Sequence, residues 1–151
     1  VLSAGPDRLD AAGAAGIPQV VSTGALDMVN FGPRDSVPEE FEGRRFHVHN
    51  PQVTLMRTTP EENAELGRIV SEKLNAATGP TALALPLAGV SMLDVEGEDF
   101  HGPEADQALF DALGEGIDDD VELLETDTHL NDEEFARAIA AKLDEYMREG
   151  E

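Results

Sequence analysis

The sequence contains no cysteine and no tryptophan, and only two of its 151 residues are lysines. The absence of cysteine excludes disulfide bonds, thiolate zinc sites and cysteine nucleophiles, and it agrees with a cytoplasmic protein. No apolar run approaches the ~20 residues that a membrane-spanning helix requires, so we expect no membrane partner. The first residue is Val and not Met, which predicts that the chain begins inside a longer protein.

Basic residues are scarce as well, since 10 Lys and Arg stand against 32 Asp and Glu, for a formal net charge of -22. Such a charge repels the phosphates of nucleic acids, so nucleic acid is not expected as a partner. The acids are dispersed along the chain instead of forming one tail. This pattern is typical of a salt-adapted, halophilic cytoplasm, with an ordinary acidic protein as the alternative.

Apolar patterning predicts a folded α/β domain, and hydrophobic residues make up 40% of the chain. Short strands are predicted at residues 17–22, 44–49, 53–56, 81–86 and 121–126, and helices at 6–15, 60–77, 103–113 and from Asn131 onward. This order implies a three-layer α/β/α fold with a mostly parallel, Rossmann-like sheet. We predict that residues 23–43 form a long loop that packs down on the domain.

Polar residues follow the predicted strands at the points where the strands end. Parallel strands bring their carboxyl ends to one edge of a sheet, where open α/β folds bind ligands. The candidate residues at this edge are Asp27, Asn30, Arg57, Thr58, Gly89, Ser91, His129 and Asn131. We therefore predict a small-molecule site there, with Asp27 and Asn30 on a covering loop. Ordinary turn chemistry is the alternative, because the same residue types populate all turns.

The junction after the strand at 53–56 is the most informative of these strand ends. Arg57 offers a fork for phosphate or carboxylate, and Thr58 offers a hydroxyl and an amide. Thr59 and Glu62 form a capping-box pattern at the start of the next helix. The glutamate argues against a strong anion site, and no Walker loop or Gly-x-Gly-x-x-Gly run is present. The sequence therefore leaves open whether the ligand is phosphorylated or a nucleotide, because no motif identifies one.

The histidines and one serine raise other chemistries. His47 and His49 share one strand face, and His129 with Asp127 can complete a metal site, but surface or hydrogen-bonded histidines are the simpler interpretation and we predict no metal. His49 or His129 is a candidate general base for a hydrolase or lyase acting on a small carbonyl or phosphate compound. Ser91 is a weak nucleophile candidate because Gly-x-Ser-x-Gly is absent.

Four sequence runs carry a resemblance to a known family. They are Gly-Ala-Leu-Asp-Met-Val-Asn-Phe-Gly-Pro at 24–33, His49-Asn50-Pro51 with 54–59, Gly-Val-Ser at 89–91, and Asp-Thr-His-Leu-Asn-Asp at 127–132. Together they resemble the C-terminal half of the Tm-1-like ATP-binding family (uncharacterised protein family 0261). The resemblance covers nearly the whole chain and adds His49 and Asn50 to the candidate ligand-binding residues.

The resemblance has consequences for domains, cofactor and partners. It implies that residues 1–151 form a single domain, the C-terminal one of a longer two-domain protein, with the N-terminal half as a partner. A plant member of the family blocks viral replication, and the family name implies ATP binding. An ATP site located mainly in the N-terminal half would be missing here, and no catalytic residues carry over. A third hypothesis is assembly, in which apolar helix faces bind the N-terminal half or form a homo-oligomer.

Overall fold

The computed structural model describes residues 4–149, which form four helices and six strands. Their order is α1 (Asp10–Ala15), β1 (Gln19–Ser22), β2 (Met28–Phe31), β3 (Phe46–Asn50), β4 (Val53–Arg57), α2 (Pro60–Asn75), β5 (Thr81–Pro86), α3 (Pro103–Gly116), β6 (Val121–Thr126) and α4 (Glu133–Glu149). Two short 3-10 turns, Arg34–Ser36 and Glu39–Phe41, lie between β2 and β3.

A three-stranded parallel sheet, in the order β1-β5-β6, forms the centre of the domain. All six residues of β5 are buried, as expected for a small apolar strand with neighbours on both sides. The core on one face joins Leu83 and Leu85 of β5 to Leu74 of α2 and Leu109 of α3. On the other face α4 packs on the sheet, and the Tyr146 hydroxyl reaches the carbonyl of the first β5 residue. The predicted α/β/α fold with a parallel, Rossmann-like sheet is confirmed.

A second sheet was not predicted. Strands β2, β4 and β3 form an antiparallel sheet in which β4 is central, with Leu55 opposite Asn30 on one side and His47 on the other. The assignment of residues 53–56 to the parallel sheet was therefore wrong, and the predicted loop at 23–43 contains strand β2. A short apolar run buried between two neighbours has the same pattern in either kind of sheet, so periodicity alone does not separate them.

Element boundaries differ from the predicted ones by a few residues. Helix α1 is shorter than the predicted range 6–15, whereas α3 runs on to Gly116. Helix α4 begins at Glu133, so Asp132 and not Asn131 directly precedes it. No helix within residues 4–149 has both the length and the apolar character needed to cross a bilayer.

Candidate functional site

A cavity of about 360 Å³ opens at the carboxyl edge of the parallel sheet, next to the ends of β5 and β6 and the first turns of α3. Its lining combines carboxylates with a few apolar groups. The lining residues are Leu87, Ala88, Gly89, Asp94, His101, Pro103, Asp106, Gln107, Phe110, Asp111 and Glu125. The cavity lies where the strand order predicted a ligand site, but among the candidate residues only Gly89 lines it.

Arg57, the last residue of β4, lies behind two of these carboxylates with 2% of its side chain exposed. Its Nη2 is 3.2 Å from Oδ1 of Asp94 and 2.5 Å from Oδ1 of Asp106. Nε donates to the carbonyl oxygen of Phe100 at 2.8 Å, and Nη1 donates to Oγ1 of Thr58 at 3.2 Å. Each nitrogen of the guanidinium thus has a protein partner. The fork predicted to bind a ligand anion is occupied by the protein itself.

The Arg57 cluster, defined as Arg57, Asp94 and Asp106, contains two carboxylates for one cation. Asp94 is fully buried, and the side chain of Asp106 is 11% exposed. Burial raises the pKa of Asp106 to about 7; Arg57 opposes this effect, while the charge and hydrogen bond of Asp94 add to it. Asp106 therefore faces the cavity with its pKa raised above the ordinary range of a carboxyl.

Asp27 forms a second buried contact next to this cluster. Its Oδ2 accepts a hydrogen bond from Oγ of Ser91 at 2.6 Å. Burial raises the pKa of Asp27, whereas the bond from Ser91 lowers it. The backbone N–H of Thr58 donates to the carbonyl of Asp27 at 2.9 Å, and Oγ1 of Thr58 donates to the carbonyl of Leu26 at 3.2 Å. Asp27, Thr58 and Ser91 thus connect the turn after β1 to the end of β4 and to the loop after β5.

His129 holds the loop after β6 against the loop after β5. Its Nδ1 accepts the backbone N–H of Asn131 at 3.1 Å, so the proton of a neutral ring lies on Nε2, which donates to the carbonyl of Ser91 at 2.7 Å. Gly89 has a φ of 141°, and a Cβ there would lie 2.2 Å from the carbonyl oxygen of Asp94. Only glycine therefore permits this close loop crossing.

The antiparallel sheet anchors the loop that forms one wall of the cavity. Nη1 of Arg45 on the segment before β3 donates to the carbonyl of His101 at 2.9 Å. Nδ1 of His47 on β3 lies 2.6 Å from Oδ2 of Asp99. Together with the bond from Arg57 to Phe100, these contacts fix residues 94–102 before α3 begins. The role of the second sheet is therefore to position this loop.

Three candidate residues lie away from the cavity because β4 is antiparallel to its neighbours. Asn30 pairs with Leu55 in the middle of β2. His49 and Asn50 are exposed at the far end of the β3-β4 hairpin, and Oδ1 of Asn50 accepts the N–H of Gln52 at 2.9 Å. At about 3.4 Å per residue, the four steps from the hairpin end to Arg57 span ~14 Å.

The contacts of the histidines and of Ser91 bear on the metal site and on the serine nucleophile that the sequence raised. Within residues 4–149 no three His, Asp or Glu side chains are grouped so that they hold a metal ion. The rings of His47 and His49 are 6.4 Å apart, but His129 lies in the loop after β6, a strand of the other sheet. The hydroxyl of Ser91 donates to a carboxylate and not to a histidine, which does not match a serine nucleophile activated by a histidine base.

Sequence reasoning missed Asp106, which lines the cavity and binds Arg57. An acidic residue in the first turns of a helix is a common dipole-compensating feature, and this hid its second role. The available signal was the strand-end arginine in a chain with few bases. A buried arginine requires a carboxylate, and the turns after Gly102 present one.

The capping box predicted at the start of α2 is confirmed. Oγ1 of Thr59 accepts the N–H of Glu62 at 3.2 Å, and Oε2 of Glu62 accepts the N–H of Thr59 at 2.8 Å. Arg44 binds both oxygens of Glu62, at 3.1 and 2.6 Å. Although burial acts in the opposite direction, these bonds hold the pKa of Glu62 below its ordinary value. This helix start is thus satisfied by its own side chains.

Comparison with known proteins decides the family. The model of the UPF0261 C-terminal domain, described as an uncharacterised protein family, matches residues 1–147. The chain belongs to the UPF0261 family. A UPF0261 protein of Clostridium tetani is 58% identical over 144 residues, which cover 95% of this chain and 36% of the relative.

Two further relatives come from Rhizobium meliloti and from Solanum lycopersicum. A UPF0261 protein of Rhizobium meliloti is 48% identical over 93% of this chain and 36% of its own length. The ToMV resistance protein Tm-1(GCR237) of Solanum lycopersicum is 43% identical over 92% of this chain and 19% of its own length. The chain thus spans about a third of the bacterial relatives and a fifth of the tomato one. The predicted resemblance to the Tm-1-like family is confirmed.

Proposed function

We propose that this domain binds a small molecule at the carboxyl edge of its parallel sheet. The observation that carries the proposal is the cavity of about 360 Å³ between the ends of β5 and β6 and the start of α3. This volume lies within the ~300–1,000 Å³ typical of ligand sites. Phe110 and Leu87 provide apolar contact, while Gln107 and Asp106 provide hydrogen-bonding groups of the kind that orient a ligand.

The cavity favours a ligand that donates hydrogen bonds, such as a hydroxyl, amide or ammonium compound. Four carboxylates line it, and His101 is the one titratable base among the lining residues. Arg57 offers no nitrogen to a ligand, because its nitrogens already bind protein acceptors, and its single charge leaves the lining net negative. A phosphate or nucleotide in this cavity would meet repulsion from the carboxylates. ATP binding, which the family name suggests, therefore has less support at this position.

The proposal is tested by titration of the protein with matched probes. The probes are putrescine, a monosaccharide, inorganic phosphate and ATP. Binding of each probe is measured by the changes in the amide NMR shifts of Gln107 and Phe110. We expect shifts with putrescine or with the monosaccharide. The affinity for that probe should be roughly 10-fold weaker in Asp111→Asn, which corresponds to a loss of about 1.4 kcal/mol of binding free energy. Asp119→Asn, on the loop before β6, is the remote control. The absence of shifts at the cavity with all four probes would refute the proposal.

A second candidate function is acid–base catalysis on a small carbonyl compound, as in a hydrolase or lyase. The observation that favours it is Asp106, which faces the cavity with its pKa raised by burial to about 7, close to the optimum for a general acid or base. His129 is less suited, because both ring nitrogens are engaged with backbone groups. Loss of turnover in Asp106→Asn, with probe binding retained, would distinguish an enzyme from a binding domain.

We also propose that residues 1–151 form one domain of a longer two-domain protein that works in the cytoplasm of a salt-adapted cell. The dispersed excess of acids supports the last point, since self-repulsion at a net charge of -22 falls when salt screens it. A melting temperature that rises steadily from 0.1 to 2 M KCl is the expected result. A melting temperature that does not change would favour an ordinary acidic protein.

A further inference from the structure

The outer edge of β1 is open within the described part of the chain. β1 pairs on one side with β5, and the backbone N–H of Gln19 donates to the carbonyl of Pro80 at 2.9 Å. In a parallel pair, alternate residues direct their backbone groups to the same neighbour. Gln19 and Val21 therefore face β5, while Val20 and Ser22 direct their N–H and C=O groups to the outside. The sheet ends there with a row of backbone groups able to bind another strand.

The two edges of this sheet differ in how they are protected. Strand β6 carries Glu122 and Glu125, and charged side chains are a common means of preventing edge pairing. Glu122 is also held by Lys142 at 2.8 Å. By contrast, residues 16–22 contain no charged side chain, in a chain where 28% of all residues are charged. The β1 edge thus lacks the protection that an exposed edge requires.

An apolar groove of about 330 Å³ runs beside β1, between that strand, the segment before α1 and the outer side of α2. Its main apolar lining residues are Leu9, Val21, Leu26, Leu66, Ile69 and Val70. Ile69 is 40% exposed, and Ile17, just before β1, is 53% exposed. An open edge and an exposed apolar groove therefore adjoin one another.

We propose that a further parallel strand, supplied by the N-terminal region of the longer UPF0261 protein, pairs with the outer edge of β1, and that the segment following this strand fills the groove. The family match is to a C-terminal domain, and the bacterial relatives have about two thirds of their length outside the match. Parallel sheets occur with their strands and faces covered, and the crossover between neighbouring parallel strands needs a dozen or more residues. The part of the bacterial relatives outside the match is long enough to supply both the strand and the crossover.

Hydrogen exchange in the longer protein tests the proposal directly. Val21 serves as the internal reference, because it faces β5 with or without an added strand. We expect the amides of Val20 and Ser22 to be protected nearly as strongly as that of Val21, at least ~100-fold above an unprotected peptide. Rapid exchange of Val20 and Ser22 beside a protected Val21 would overturn the proposal. Protection that appears only in a dimer of the longer protein would also overturn it, in favour of a second copy.

A pair of substitutions in the longer protein provides a second test. Val20→Pro removes the outward N–H and leaves the bonds to β5 intact, whereas Val20→Ala shortens the side chain and keeps the N–H. If a strand pairs there, Val20→Pro lowers the melting temperature well below that of Val20→Ala. An open edge accepts proline, so equal melting temperatures of the two variants would contradict the inference.

Discussion

The Arg57 cluster and the end of the β3-β4 hairpin, residues 47–52, are two polar regions only four residues apart along β4. The first is buried, and each of its charged groups meets a partner from another part of the chain. The second is exposed and makes local contacts, such as the bond from the N–H of Gln52 to Asn50. In the sequence both resembled ligand-binding motifs. The difference shows that polar residues at a strand end can bind other protein groups in the interior. Burial and pairing therefore determine whether such residues are free to contact a ligand.

Removal of Arg57 is expected to have the largest effect. Arg57→Ala leaves Asp94 and Asp106 buried without their cation, so we expect the free energy of unfolding to fall by about 3–5 kcal/mol. Urea denaturation measures this change. Arg137→Ala removes an exposed arginine from an ion pair on α4 and serves as the control, with an expected loss within ~0.5 kcal/mol. Equal losses for the two variants would show that the cluster is not a buried network.

The titration of Asp106 provides the next test. The pKa of its carboxyl is about 7 in the folded protein and near its ordinary value of 3.8 when unfolded, so its contribution is fully present below about pH 4 and is lost as the pH rises through 7. Between these limits we expect the stability of the unmodified protein, relative to Asp106→Asn, to fall by up to about 1.4 kcal/mol per pH unit.

Denaturation curves at pH 4 to 8 measure this slope for both proteins. Asp111→Asn, on the same helix but exposed, serves as the control, and its curve should run parallel to that of the unmodified protein. If Asp106→Asn also runs parallel, the carboxyl pair does not hold a proton in the folded state.

The capping box of α2 gives a smaller effect, because it lies at the surface end of the same strand-to-helix junction. Thr59→Ala removes the acceptor for the N–H of Glu62, and we expect a loss of about 1 kcal/mol. Thr59→Ser keeps the hydroxyl and should retain most of the stability, which thermal unfolding will show. Equal losses in the two variants would assign the effect to the γ-methyl group, which both lack, and not to the hydroxyl.

The smallest effect is expected at the hairpin. His49 is exposed, so His49→Ala should change the free energy of unfolding by less than ~0.5 kcal/mol and leave probe binding at the cavity unchanged. The NMR titration above provides the measurement, with Asp111→Asn as the positive control. A loss of probe binding in His49→Ala would show that the hairpin end and the cavity beside the Arg57 cluster belong to one site, and would contradict the contrast drawn between the two regions.

The sequence predicted the layers of the fold better than the membership of its sheets. β5 was located correctly because a short apolar run between Gly79-Pro80 and Pro86 leaves few alternatives, and β6, which follows the run of aspartates at 118–120, was also located correctly. The error at β4 arose because its hydrophobic run resembles a parallel strand, while its pairing partner β2 was hidden in a region rich in glycine and proline. A signal was present at Pro51-Gln52, since two residues between two strands are too few for a parallel crossover.

A cavity lies at the edge where the site was predicted, but among the candidate residues only Gly89 lines it. Loop composition located the edge, because strand ends of a parallel sheet converge there. It did not reveal that Arg57 would meet Asp106 from a distant helix, since such a contact depends on the tertiary packing of α2 and α3. Side-chain types at a strand end therefore predict position, while burial and pairing decide whether a side chain remains free for a ligand.

The central position of β5 has a consequence for the order of folding. β1 finds its sheet partner 62 residues later in the chain, and β6 joins the same strand from the other direction. The β1-β5 and β5-β6 pairs cannot form until β5 has been synthesised, and such non-local pairing slows folding through the entropy of loop closure. Strands β2, β3 and β4 find their partners before β5 is made, and the local turns of α1 and of the capped start of α2 can also form by then. On the ribosome the antiparallel sheet is therefore expected to form first and to receive the loop that it later anchors.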